Sequence, residues 1–201
     1  VSRLIAACVV SRLHADAGTV GTTAIDKQPV DGSVKVGRLG LYADVQADRK
    51  HHGGEDQAVY AYAAEDAAWW AEQLQRDIPP GFFGENLRVA GLEVSNARVG
   101  ERWRIGEGTD AVVLEVTHAR TPCMTFARWM GQNGMVQEAN GWVRRFSDAR
   151  RLGTYFRVVT TGRVRPGDPI EVIPAPAGAP TILDGYGGVA DSGPAGRNDA
   201  P

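Results

Sequence analysis

Residues 111–117 read AVVLEVT, and this stretch decides the fold class. Val112, Leu114 and Val116 alternate with Val113, Glu115 and Thr117, the period of a strand with one face turned to a core and the other to a wetter environment. Working outward, residues 86–89 and 98–105 before it, and 154–161 and 169–173 after it, have the same short, apolar-rich composition. Nearer the N-terminus, 4–10, 35–41 and 57–62 read as strands too. Helical spacing takes over at 65–75, where Ala67, Trp70, Ala71 and Leu74 share one face and read as core packing. Residues 124–130 and 136–146 suggest two further short helices. Many short strands with so few helices favour a barrel over an open parallel sheet. Neither GxGxxG nor GxxxxGK[ST] occurs, so dinucleotide and P-loop sites lose their main support.

The length, 201 residues, suits one domain with a substantial core and leaves no room for a second of ordinary size. After Pro174 the composition turns to Ala, Gly and Pro, which predicts a domain over 1–174 and a disordered tail over 175–201. A formal net charge of -2 advertises neither nucleic acid nor an anionic membrane as partner. Lysine is scarce: only Lys27, Lys35 and Lys50 carry a side-chain amine. Cys8 and Cys123 are the two cysteines, at a spacing that fits neither a disulfide framework nor a zinc knuckle. A reducing cytoplasm is the expected location, and no segment reaches the ~18 apolar residues of a membrane helix.

Three polar clusters can carry chemistry. In DRKHHGGED, 48–56, the pair Gly53 and Gly54 lets backbone amides approach an anion, with Lys50 and His52 adding donors on either side. An ordinary solvated turn accounts for the same residues equally well. In GFFGENL, 81–87, Asn86 can donate and accept at once, while turn capping and an ion pair are the plainer roles of Asn86 and Glu85. In HARTPCM, 118–124, Pro122 disfavours helix at Thr121 and puts Cys123 on a constrained turn. A guanidinium beside a thiol favours the reactive thiolate, so Arg120 is a candidate activator of Cys123. Cys8, within an apolar strand, reads as a small buried hydrophobe.

Taken in order, KHHGGEDQAVYAY, GFFGENL, RTPCM and GRVRPGDPIEVI resemble the MOSC family, the C-terminal domain of molybdenum cofactor sulfurases, and within it the small bacterial YiiM-like branch. The similarity spans roughly residues 35 to 173. It implies a mainly β, barrel-like domain with a few short helices. It also implies that Cys123 ligates molybdenum or carries sulfur, that Lys50, His52, Asn86 and Arg120 wall the pocket of a molybdenum cofactor, and that Gly53, Gly54, Asp56 and Glu85 shape it. Soft thiolate for the metal and cationic or amide donors for phosphate and dithiolene are the chemistry such a cofactor needs.

Two functions follow from the resemblance. One is a molybdenum-cofactor-dependent oxidoreductase acting on N-hydroxylated small molecules, with electrons from a flavin or haem partner because the sequence has no nucleotide or iron-sulfur motif. The other is a sulfur carrier or cofactor-delivery module with a Cys123 persulfide, supplied by a separate cysteine desulfurase since no pyridoxal-phosphate domain is expected in this chain. A thiol hydrolase using His52 or His118 as base, or a zinc site built from His51, His52 and Cys123, suits the residue types but has no supporting spacing.

Overall fold

A computed structural model describes residues 1–46 and 53–187. Its strands are β1 (Arg3–Val10), β2 (His14–Ala15), β3 (Thr22–Thr23), β4 (Lys27–Pro29), β5 (Val34–Gly37), β6 (Gly40–Leu41), β7 (Val59–Ala63), β8 (Leu87–Ala90), β9 (Arg102–Ile105), β10 (Val112–Ala119), β11 (Thr154–Thr160), β12 (Gly162–Val164) and β13 (Ile170–Ile173). The helices are α1 (Ala64–Leu74), α2 (Met124–Gln132) and α3 (Trp142–Asp148). The alternation that opened the sequence is seen in β10, where Val112, Leu114 and Val116 are buried and the residues between them are half-buried.

One eight-stranded sheet carries the domain, in the order β13-β9-β10-β11-β7-β8-β1-β4. Every pairing is antiparallel except β7 with β8, whose parallel register sets Ala61 against Leu87 and Ala63 against Val89. A parallel pair needs a crossover, and α1, which follows β7 without a break, supplies it. That helix stops where Gln75 turns left-handed at φ 52, ahead of Pro79 and Pro80, which cannot continue it. A bridge between Arg3 of β1 and Pro169, just ahead of β13, brings the two sides of the sheet together, and the amide of Leu4 donates to the Asp168 carbonyl at 2.9 Å. No ladder closes the sheet among the described residues, so the expected barrel narrows to a mainly β fold with three short helices.

The helices bury an aromatic cluster against this sheet. Trp70 of α1 stacks on Phe146 of α3 at 11° and 5.5 Å, and Phe83 and Phe126 meet Phe146 edge-on. Each such side chain contributes on the order of 1.5–3 kcal/mol through burial, which is why helices this short persist where isolated ones melt.

Several boundaries differ from the sequence reading. The stretch 35–41 is a hairpin, β5 and β6, and a 3-10 turn at Glu55–Gln57 precedes β7. The helix expected at 136–146 begins only at Trp142, after another 3-10 turn. From residue 175 the chain was expected to lack structure, yet it packs on the domain as far as residue 187: Ile182 is buried, its amide donates to Ala97 O at 2.9 Å, and Tyr186 shares a hydrogen bond with Ser147. Ala, Gly and Pro dominate the composition there, but a few apolar anchors suffice to hold a strap. No helix among the described residues is long and apolar enough to cross a membrane.

Candidate functional site

Beyond β10 the chain passes the buried Pro122 and reaches Cys123 in an extended conformation, at the N-cap of α2. Cys123 is half-buried, and the helix begins on its own carbonyl, which accepts the Ala127 amide at 3.1 Å. The Cys123 side chain stands at the positive end of the helix dipole. Both Arg120 and Arg128 interact electrostatically with Cys123.

The sulfur-bearing turn forms one wall of a cleft of about 520 Å³. Arg120 lines it, 7% exposed, its guanidinium 3.9 Å from the centroid of the Phe126 ring and 5.2 Å from that of Tyr60. Its Nη1 is buried and finds no hydrogen-bond partner among the described residues, although the Tyr60 side chain interacts favourably with the same guanidinium. Burial holds Tyr60 and Tyr155, on the same wall, above the usual phenol range, so both stay neutral. The Tyr60 hydroxyl donates to Leu152 O at 2.7 Å.

Two further cations line the cleft, each already neutralised. Lys27 Nζ lies 2.5 Å from both carboxylate oxygens of Asp44, in a pair that is 8% and 10% exposed. Asp44 also accepts from Asn86 Nδ2 at 2.7 Å and from the Val10 amide at 2.9 Å. Arg128 holds Asp16 through Nε at 2.8 Å and Nη2 at 2.7 Å. Arg120 is therefore the cleft arginine that no carboxylate matches among the described residues.

Asn86 is in the cleft as expected, but its amide is occupied: besides Asp44 it donates to Cys8 O, and its Oδ1 accepts the Tyr60 amide at 3.1 Å. It joins β1, β7 and the loop before β8 beneath the site. Glu85, expected to shape the pocket, is fully buried away from the cleft, and its carboxylate takes the amides of Gly81 and Phe83 and the Arg88 guanidinium. Glu85 thus does not face the cleft itself but holds the turn whose Phe83 and Gly84 do. Gly81 in that turn has φ +88, and a Cβ there would sit 2.5 Å from Lys27 O, so only glycine fits. Asp56 does not line the cleft: its side chain is exposed and pairs with Arg157 at 3.0 Å. Gly53 and Gly54 do not line the cleft, although the Gly54 amide donates to Gln46, which does. Lys50, His51 and His52 lie outside the described residues.

His118 packs on Tyr155, and burial lowers its pKa, but it does not line the cleft, which leaves the hydrolase reading without a described base. No group of three His, Cys, Asp or Glu is placed to hold a metal ion among the described residues. Asp16, Lys27, Asp44, Thr125 and Arg128 also line the cleft, and no motif in the sequence marks them as site residues. Only Lys27 had been noted, as one of few lysines; the spacing of Thr125 and Arg128 behind Cys123 on a helix was the other available signal.

Comparison with known proteins places these residues in a family context. The MOSC domain matches residues 48–171. The uncharacterized protein YflK of Bacillus subtilis is 37% identical over 151 residues, which cover 75% of this chain and 63% of that protein. Protein YiiM of Escherichia coli is 32% identical over 155 residues, 75% of this chain and 64% of its own. A Gibberella moniliformis protein named reductase is 29% identical over 163 residues, 77% of this chain but 26% of that protein. The chain thus spans less than two thirds of the length of these curated relatives. The crystal structure of YiiM from Geobacillus stearothermophilus aligns with a TM-score of 0.69 at 26% identity, covering 90% of this chain and 80% of that one.

Proposed function

Because this chain belongs to the MOSC domain family, we propose that its cleft binds a molybdenum cofactor through Cys123 and that the protein reduces N-hydroxylated small molecules with electrons from a redox partner. Arg120 carries the reading. A buried charged donor without a partner costs ~1–3 kcal/mol or more, and an anion in the cleft removes that cost. The cofactor's phosphate and dithiolene sulfurs are anionic groups of the kind a guanidinium recognises, and a cysteine thiolate is a ligand molybdenum accepts. The residues present therefore fit the group.

When bound, the cofactor supplies the redox chemistry, in which cleavage of an N–O bond consumes two electrons and two protons and releases water. Cys123, at the start of α2, would hold the metal. Arg120, buried in the cleft wall, would meet the anionic part of the ligand where its charge is little screened. The neutral phenols of Tyr60 and Tyr155 add no negative charge to that wall, and Lys27–Asp44 keeps its shape. The relative named reductase has most of its length outside the matching segment, room for the electron-delivering module that this reading assigns to a partner.

Protein expressed in a host able to make the cofactor is expected to copurify with molybdenum and pterin, and Cys123→Ser to lose the metal. Full molybdenum content in that variant contradicts the proposal. A labile gain of one sulfur on Cys123 after treatment with a cysteine desulfurase and cysteine, in protein that never binds molybdenum, replaces it with sulfur carriage.

A further inference from the structure

We infer that Asp16 is a positioning residue that latches the loop over 16–23 as a lid across the cleft and sets the size of molecule that reaches the Cys123 sulfur. Thr19, Val20, Thr22 and Thr23 of this loop line the cleft. Val20 is 44% exposed, so little apolar burial holds the loop down. The Asp16 side chain differs from its surroundings at 7% exposure. Its carboxylate accepts four hydrogen bonds: from Arg128 Nε at 2.8 Å and Nη2 at 2.7 Å, from Thr125 Oγ1 at 2.9 Å and from the Gly18 amide at 3.0 Å.

Three of these donors stand on α2, two and five residues beyond Cys123, so the latch fastens the lid to the helix that presents the sulfur. Backbone bonds such as Asp16 N to Gly21 O stay within the loop. Among the described contacts, the bonds from Thr125 and Arg128 to Asp16 are those that tie the turn, at its first residue, to the rest of the fold. Gly18 fits under the latch because it has no side chain: a Cβ would lie 2.7 Å from Asp16 Oδ2 and 3.3 Å from Arg128 Nη2. At its base the same hairpin is pinned separately, with the His14 ring edge-on to Trp129 at 5.3 Å and its Nε2 2.7 Å from Asp26 Oδ2. A hairpin pinned at His14 with one charged fastening at the start of its turn is the arrangement of a lid whose turn opens locally without unfolding the domain. The inference concerns access to the sulfur and stands whichever ligand the cleft takes.

The test measures alkylation of the full chain, free of cofactor, by iodoacetamide and by the bulkier fluorescein maleimide, with the modified residue assigned by mass spectrometry. Taking the ratio of the two rates cancels any change in thiolate fraction, so the readout is steric access. In Asp16→Asn the bulky-to-small ratio at Cys123 is expected to rise at least about fivefold as the lid opens, with smaller rises in Thr125→Ala and Arg128→Lys and a single cooperative melting transition kept in all three. A ratio within about twofold of wild type in folded Asp16→Asn overturns the inference. Should Asp16→Asn fail to fold, the same criterion applies to Thr125→Ala and Arg128→Lys, whose side chains leave the Asp16 carboxylate with its remaining donors.

Discussion

Arg120 is held by aromatic rings where a carboxylate would be the usual partner, and its Nη1, in a buried wall, has no acceptor among the described residues. Proteins keep such a group at a cost to the empty state when a ligand completes it. Arg120→Met retains the packing stem and removes the charge. Unfolding of the cofactor-free variant is therefore expected at a denaturant concentration equal to or above wild type, the relieved donor outweighing a lost cation–π contact of ~1–2 kcal/mol. Pterin retained after purification is expected to fall at least about tenfold, which corresponds to one charge-assisted hydrogen bond. A variant that is destabilised yet keeps its pterin contradicts this account of Arg120. The residue scale was also where the sequence spoke most clearly. Pro122 before Cys123, with Arg120 two residues earlier, put cation and sulfur on one short turn, and Cys8 in an apolar run was legible as buried; burial pushes its thiol up to about 12. Lys27, Asp44, Asp16 and Arg128 were not legible as a site, because nothing in a single chain pairs position 16 with 128 or 27 with 44 before the fold brings them together.

At the scale of elements, the fastening between the β2–β3 hairpin and α2 has a pH signature. Hydrogen bonds from Arg128 hold the Asp16 carboxyl down at about 2, against the opposing cost of burial, with further help from Thr125 and the Gly18 amide. A carboxyl whose folded value lies below its ordinary 3.8 contributes stability that is complete above that value and is lost as pH falls toward about 2. The difference in unfolding free energy between wild type and Asp16→Asn is thus expected to stay level from neutral pH down to the ordinary carboxylate range and then to shrink toward about 2. Urea titrations across that range check it, and a difference that already varies near neutrality contradicts it. Periodicity found β1, β10, β11, α1 and α2 because long or strongly patterned segments declare themselves. It ran 136–146 together as one helix because Trp142, Val143 and Phe146 carry the helical spacing while nothing before them marks the 3-10 turn. The two-residue strands β2 and β3, too short to show any period, turned out to carry the lid.

For the molecule as a whole, the mainly β character was legible from a count of short strands, but the order of the sheet was not. The parallel pairing of β7 with β8 depends on α1 crossing over, and the tie between Arg3 and Pro169 joins opposite ends of the chain. The strap over 175–187 was hidden for the converse reason, since composition averages away single anchors such as Ile182. These long-range contacts bring the GFFG turn, the turn that carries Cys123 and the hairpin near the N-terminus around one cleft, and the proposed function rests on what that cleft presents to a ligand. X-ray absorption at the molybdenum edge of cofactor-loaded protein bearing Cys123→selenocysteine tests this most directly. The account predicts one selenium neighbour bonded to molybdenum; a shell of sulfur and oxygen alone, with the metal fully retained, would contradict it.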